Sequence, residues 1–432
     1  MLSRKILAAM ILTQSIWGQG IYNAIGTGSV RESNNAAALG IGGTGLLPSF
    51  SEKLSLANPV TWPSSRFALL TASYGGVQLS NSKNDLTDAV SDINRLQIIL
   101  PIKNTYALGL DLSPLTSNDY LITGAPDYQI VNWDTTTAVF IADTLNTRYH
   151  REGAGGLLSL RSSLAFPIGK FERSALSLEF IFGSTRRGSI LDVNNEAYIY
   201  NRHDRYNGIF VKYYLESERF SAGQLPLHLF LSLSLPLQPL LVESTQYHLY
   251  EDGNANGFYD SGGDFPGMSV DATNQVETHQ KIQSPVEFSM GFDLSLAKQT
   301  HLQGEYYYQA LNTRLPDDFF SLQDLSYKNI RHLNIGAVKF ARSLPREWYE
   351  YFHYRMGIYH DSRTISSFDE NLTEFGASAG LGFKFGLTGN QIDIAYSIGM
   401  RSGPLNEYEE RVEKFKVQIT IGDIWFVKRR SR

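Results

Sequence analysis

Val286-Glu287-Phe288-Ser289-Met290-Gly291-Phe292-Asp293-Leu294-Ser295-Leu296 alternates without a break between large apolar residues and small or polar ones. Successive side chains of a β-strand leave on opposite faces. Val286, Phe288, Met290, Phe292, Leu294 and Leu296 therefore share one face, and Glu287, Ser289, Gly291, Asp293 and Ser295 share the other. One face suits hydrocarbon; the other suits water or packed polar groups.

The pattern recurs from Arg66 onward. Leu176, Leu178, Phe180 and Phe182 alternate with Ser177, Glu179 and Ile181, and Leu227, Leu229, Leu231, Leu233 and Leu235 with His228, Phe230, Ser232 and Ser234. Phe352 to Ile358, Ile392 to Met400 and Phe415 to Ile421 repeat it. A soluble sandwich also alternates, but its polar face is usually richer in Lys, Glu and Thr. Here that face carries Gly, Ala and Ser with isolated charges of both signs.

Connection lengths add an independent argument. Strands are predicted near 66–74, 94–101, 104–113, 155–166, 173–183, 208–216, 227–236, 286–296, 300–310, 331–341, 350–360, 374–385, 391–400 and 412–421. The connections then alternate. Long ones cover 75–93, 114–154, 184–207, 237–285, 311–330, 361–373 and 401–411, and tight turns fall at Lys103, Gly169-Lys170, Lys298-Gln299 and Thr388-Gly389-Asn390. Tight periplasmic turns opposite long outer loops are the habit of outer-membrane barrels. The expected fold is all-β, an antiparallel transmembrane β-barrel of about 14 strands. It spans 66–421, with 237–285 the largest outer loop and 422–432 a periplasmic tail. Hydrocarbon offers no partner to an unpaired backbone group, and a closed barrel leaves none unpaired. Tilted strands of about 9–11 residues cross it.

Composition agrees. Hydrophobic residues make up 42% of the 432 and exclude a bundle of membrane helices. The net charge of -5, with pI near 6.0 and no basic stripe, excludes a nucleic-acid partner. The absence of cysteine excludes disulfides, thiolate metal sites, cysteine nucleophiles and a lipidated N-terminus. Arg4 and Lys5, the apolar run Ile6 to Trp17 and the small-residue site Gly18-Gln19-Gly20 read as an export signal over 1–20. The expected destination is the outer membrane of a Gram-negative cell.

Residues 21–65 do not alternate. They contain Gly40-Ile41-Gly42-Gly43-Thr44-Gly45 and Leu56-Ala57-Asn58-Pro59. No GK[ST] follows the glycines, so a P-loop is rejected. Two readings stand: a flexible periplasmic leader, or a plug folded back into the lumen, where Gly42, Gly43 and Gly45 permit close backbone packing.

The run Asn35-Ala36-Ala37-Ala38-Leu39-Gly40-Ile41-Gly42-Gly43-Thr44-Gly45, the Asn58-Pro59 pair and the closing 421–429 together resemble the FadL-like outer-membrane transporters, especially their divergent Bacteroidetes branch. The resemblance implies a fourteen-stranded barrel, an N-terminal hatch carrying Gly42, Gly43, Gly45, Asn58 and Pro59, and passage of small hydrophobic compounds through a lateral opening. The implied partners are outer-membrane lipid and those compounds. Val60 stands where the family motif usually has alanine, and the 237–285 insertion is unlike a minimal transporter. Barrels similar to the type IX secretion component PorV belong to the same branch. They imply the alternative of a secretion or surface-assembly barrel that serves another envelope protein and has no cargo of its own.

Asp252-Gly253-Asn254-Ala255-Asn256-Gly257-Phe258-Tyr259-Asp260 matches the start of a calcium loop, with oxygen ligands on Asp252, Asn254, Asn256 and Asp260, the Phe258 carbonyl at position 7 and Gly257 at the sharp turn. Gly263 stands where the bidentate Glu belongs, and Asp264 is the substitute. A structural calcium and an ordinary Asn/Gly-rich turn are both open readings. No other cofactor is expected. A charge on the lipid face near the midplane costs roughly 2–4 kcal/mol. Arg161, Glu179, Lys212, Glu287, Asp293, Glu305, His353, Arg355 and Asp393 are therefore assigned to the lumen, either pairing across it and holding the plug or lining a substrate path. Inner-face serines and His353 and His228 are present without any G-x-S-x-G or recognisable pairing, so no enzyme is expected.

Overall fold

The computed structural model describes residues 17–31, 34–81, 86–103, 105–125, 127–134, 139–168, 171–193, 196–222, 225–248, 275–282, 285–311, 325–342, 345–366, 368, 370–386, 388–405 and 409–424. The calcium-like motif from Asp252 to Asp264 lies outside them, as does most of the proposed signal.

Alternation produces what it should. Fourteen antiparallel staves form one cylinder. They are β1 (Ala68–Asn81), β2 (Leu86–Ile102), β3 (Tyr106–Pro114), β4 (Val139–Ile168), β5 (Phe171–Val193), β6 (Glu196–Glu216) and β7 (Leu225–His248). The circle continues with β8 (Val286–Ala297), β9 (Thr300–Ala310), β10 (Tyr327–Lys339), β11 (Phe352–Ile365), β12 (Asn371–Phe385), β13 (Asn390–Ser402) and β14 (Glu410–Asp423). It closes where β14 pairs with β1, from Arg411↔Ser80 to Asp423↔Ala68. Leu70, Ile98, Leu110, Leu160, Phe180, Leu231, Met290, Ile335, Ile358 and Ile398 all point outward and lie exposed. An apolar band of that extent is stable only against lipid. The chain is an outer-membrane barrel.

Tight turns gather at the end that holds both Ala68 and Asp423. Lys103 and Gln299 take left-handed φ values of 51° and 69° there, as turns this short demand. At the other end the expected loops need correction. Residues 75–93 and 184–207 are largely strand, because β1 runs to Asn81, β2 starts at Leu86, β5 reaches Val193 and β6 starts at Glu196. Staves β4 to β7 are 30, 23, 21 and 24 residues long. Crossing the membrane takes about 9–11. Above the hydrocarbon both faces of a strand meet water or polar groups, so the period-two hydropathy fades while backbone pairing continues. Residues 237–248 likewise belong to β7, and Gln275–Ile282 pairs back on it from Leu240↔Ile282 to Tyr247↔Gln275. The 237–285 span is a loop only in part.

Residues 34–65 lie inside the cylinder. A short helix α1 (Ala36–Leu39) is capped by Asn35, whose side chain accepts from the Ala38 N–H at 2.8 Å. A 3-10 turn, Pro59–Ser64, is capped in the same way by Asn58. Trp62 is fully buried and donates its indole N–H to the Leu56 carbonyl at 3.1 Å. It packs with Leu46, Leu47, Phe50 and Leu56 against the wall residues Ile99, Ala107, Tyr214 and Phe230. Trp62→Ala is expected to destabilise the protein by about 3–5 kcal/mol. Urea titration in detergent, followed by the retarded gel mobility of the unfolded chain, measures it.

Candidate functional site

The wall is shaped to receive the inner segment. Gly336, Gly357 and Gly380 face inward on β10, β11 and β12. A Cβ on Gly357 would collide with the Ile41 carbonyl oxygen, one on Gly336 would stand 2.6 Å from it, and one on Gly380 would stand 2.9 Å from the Gly40 Cα. The backbone of residues 40–42 therefore lies directly on bare strand. Gly42 and Gly45 take φ values of +71° and +106°, which side-chain-bearing residues avoid. Gly43 approaches the Glu305 carboxylate, Asn58 donates to the Leu46 carbonyl at 2.7 Å, and Pro59 opens the 3-10 turn.

Wall side chains then satisfy the carbonyls of this segment. Asn334 donates to Ile41 O (3.1 Å), His332 Nε2 to Gly42 O (2.7 Å), Gln303 to Pro48 O (2.7 Å) and Arg355 Nε to Ser49 O (2.9 Å). Gln97 donates to Leu56 O (2.7 Å), Arg161 to Ala57 O (3.2 Å) and Lys416 Nζ to Asn34 O (2.9 Å). In the opposite sense, Glu305 accepts from the Thr44 N–H at 3.2 Å and from its hydroxyl.

All nine charges assigned to the lumen by parity lie on that side of the wall. Arg161, Glu305 and Arg355 touch the inner segment, as above. Arg355 also pairs with Asp393 at 2.8 Å, both side chains fully buried. Lys212 pairs with Glu287 at 2.8 Å, and Glu179 accepts from the Ser159 hydroxyl. Asp293 is bonded to His301 and Gln303, at 3.0 and 2.9 Å, while His353 Nδ1 accepts from the Ala341 N–H at 3.1 Å. Sequence reasoning passed over several partners: Asp111, which joins Arg95 and Arg161 at 3.0 and 2.5 Å; Asp361, 2.5 Å from His332 Nδ1; and Glu374, held by Arg401 and Lys414, each at 2.8 Å. Their parity within the strands was the available signal. Among the described residues no group of three or more His, Asp or Glu could hold a metal ion.

One stave parts from its neighbour. β3 pairs with β2 from Tyr106↔Ile102 to Leu112↔Leu96, and beyond that only with β4, at Ser113↔Ser159 and Pro114↔Leu158. Proline has no N–H to continue a ladder. The chain turns inward instead. Arg31 donates its backbone N–H to Leu115 O at 2.7 Å, and Thr116–Ser117 pairs with Ser29–Val30 of the N-terminal chain. It stays bonded to β4 throughout, by the Leu115 N–H to Leu157 O and the Asn118 N–H to Gly155 O, both 2.8 Å, and regular pairing with β4 resumes at Tyr120–Gly124. Among the described residues, 86–95 of β2 consequently have no strand partner on the β3 side. Arg31 spans this seam, with an ion pair to Asp92 on β2 and a longer one, 3.5 Å, to Asp119.

Behind the seam is a cavity of about 210 Å³. Its collar is apolar: Leu115, Leu157, Ile181, Phe210, Leu240 and Ile282. Its floor is polar, built from Arg95, Arg161, Glu179, Lys212 and Glu287 of the wall with Thr44, Leu46 and Ala57 of the inner segment.

A fourteen-stave cylinder with its N-terminal segment in the lumen and its third stave parted from the second is an outer-membrane β-barrel with an occupied interior. The sequence matches the family model BamG over residues 2–431, and the chain belongs to that family. Among solved structures it is similar to a Pseudomonas aeruginosa FadL homologue, at 12% identity and TM-score 0.54, covering 92% of this chain and 99% of that one. It is also similar to the Ralstonia pickettii toluene transporter TbuX, at 11% identity and TM-score 0.49, covering 93% and 97%. No curated protein matches the sequence.

Proposed function

We propose that the barrel admits a small hydrophobic compound to the lumen cavity and releases it sideways, through the seam between β2 and β3, with residues 34–65 as the plug that blocks passage straight through. The observation that supports this reading best is the departure of β3 from β2 at Pro114, beside a cavity with an apolar collar. A lipid-soluble molecule leaving at that point meets hydrocarbon, where Ile93, Leu108 and Leu110 lie exposed on the outer face. The plug reading rests on the bonds that Gln303, His332 and Arg355 send to carbonyls of the inner segment.

The purified barrel is expected to bind the apolar fluorophore N-phenylnaphthylamine with saturable 1:1 stoichiometry. Ile181→Trp, which fills the collar, is expected to weaken binding about tenfold or more, the cost of losing an apolar pocket of this size, with the heat-modifiable mobility of the folded barrel unchanged. Failure of the parent protein to bind the probe at its solubility limit would remove this reading.

A second reading, a barrel that serves secretion or surface assembly of another envelope protein, is favoured by the wall that β4 to β7 raise beyond the membrane. Crosslinking in cells followed by purification separates the two. A stoichiometric envelope protein with an unliganded lumen supports assembly, and a bound lipid or hydrocarbon supports transport.

A further inference from the structure

The seam has two edges, and the geometry points to a strand-acceptor site: a slot that takes an extended polypeptide segment of another protein, with apolar and polar residues in alternation. One edge is residues 86–95 of β2. The other is residues 121–123, whose far side is paired to β4. In this structure a strand already lies on that second edge. Trp17–Gln19 runs antiparallel to it, with Trp17↔Thr123, Gly18↔Ile122 and Gln19↔Leu121. The slot thus accepts one chain in extended form, and the present occupant shows its direction and register.

That occupant is not built to stay. Its three residues fall within the 1–20 segment that reads as an export signal, and cleavage after Gly20 leaves residues 121–123 with bare N–H and C=O groups. An unpaired strand edge is a template for another chain. At the margin of the lipid the drive is stronger, because hydrocarbon supplies no substitute hydrogen bond. The flanks also define the chemistry of the guest. Leu121 and Ile93 are exposed on the outer side, whereas Ile122 is buried, and Arg31, Asp92 and Asp119 stand at the inner side. A guest with apolar residues outward and polar residues inward satisfies both, which is the period-two pattern of a membrane strand.

The test uses mature protein recovered from outer membranes and placed in lipid nanodiscs, its N-terminus fixed by intact mass. Hydrogen exchange is followed with and without a synthetic peptide of residues 11–20, Ile-Leu-Thr-Gln-Ser-Ile-Trp-Gly-Gln-Gly. A second peptide of the same sequence carries N-methyl groups on alternate backbone nitrogens. The first is expected to slow exchange about tenfold or more in 120–124 and in 86–95, leaving β9 to β13 unchanged, and the methylated peptide is expected to have no effect. Three results would overturn the proposal: no slowing with peptide in excess, equal slowing by the methylated peptide, or a mature chain that retains residues 17–19 with both edges already protected.

Discussion

Asp393→Leu is expected to destabilise the barrel by about 3–5 kcal/mol, the cost of stranding a buried charge. Arg355 and Asp393 are both fully buried and meet at 2.8 Å across β11 to β13. Once the carboxylate is gone, the guanidinium keeps the Ser49 carbonyl, 2.9 Å from its Nε, and its full burial shuts it off from bulk solvent. The double variant Arg355→Met, Asp393→Leu is expected to recover most of the loss, because two apolar side chains of similar volume leave no charge unpaired. The double variant still forfeits the bond to Ser49, so its inner segment is expected to be less firmly held. Urea midpoints of the two single variants and the double variant, read from the folded and unfolded gel bands, decide the matter. A single variant costing under about 1 kcal/mol would place this pair among solvated ones.

Gly357→Val carries the second large effect. A side chain there enters the space of the Ile41 carbonyl, and neither partner can rotate away because both groups meet through backbone. Overpacking among side chains usually costs about 1–3 kcal/mol. Here relief requires residues 40–42 to lift from the wall, which also breaks the bonds from Asn334 and His332. The cylinder is expected to form, with its heat-modifiable mobility retained, while thermolysin cleaves within 34–65 at a rate raised about tenfold or more. Ala377→Val, on the exposed face of β12, is the control and is expected to behave as the parent protein. Unchanged protection of the inner segment in Gly357→Val would show that it does not rest on this strip of glycines.

Much of the wall was legible because a membrane strand carries two demands on alternate residues. Parity alone sent Glu305, Arg355 and Asp393 inward. It also put small residues where the inner segment lies, as at Gly336, Gly357 and Gly380. Parity supplies a direction but no partner. Asp111 meets Arg161, and Lys416 meets Asn34, only through the register accumulated around the cylinder. The outer halves of β5 and β6 escaped notice because, above the lipid, residues such as Arg186, Arg187 and Arg202 no longer obey the hydrocarbon rule. The seam was hidden for another reason. Pro114 is one residue, and its consequence lies in which neighbouring stave loses a partner.

This wall faces lipid outside and a packed, polar lumen within. The chain has no cysteine of its own, so single cysteines at Glu287, Phe288, Ser289, Met290, Gly291, Phe292, Asp293 and Leu294 can each carry a fluorophore in bilayers containing brominated lipid. Labels at 288, 290, 292 and 294 are expected to be quenched and those at 287, 289, 291 and 293 spared. Uniform quenching along the run, or none at any position, would mean that the two faces of this strand do not meet lipid and lumen.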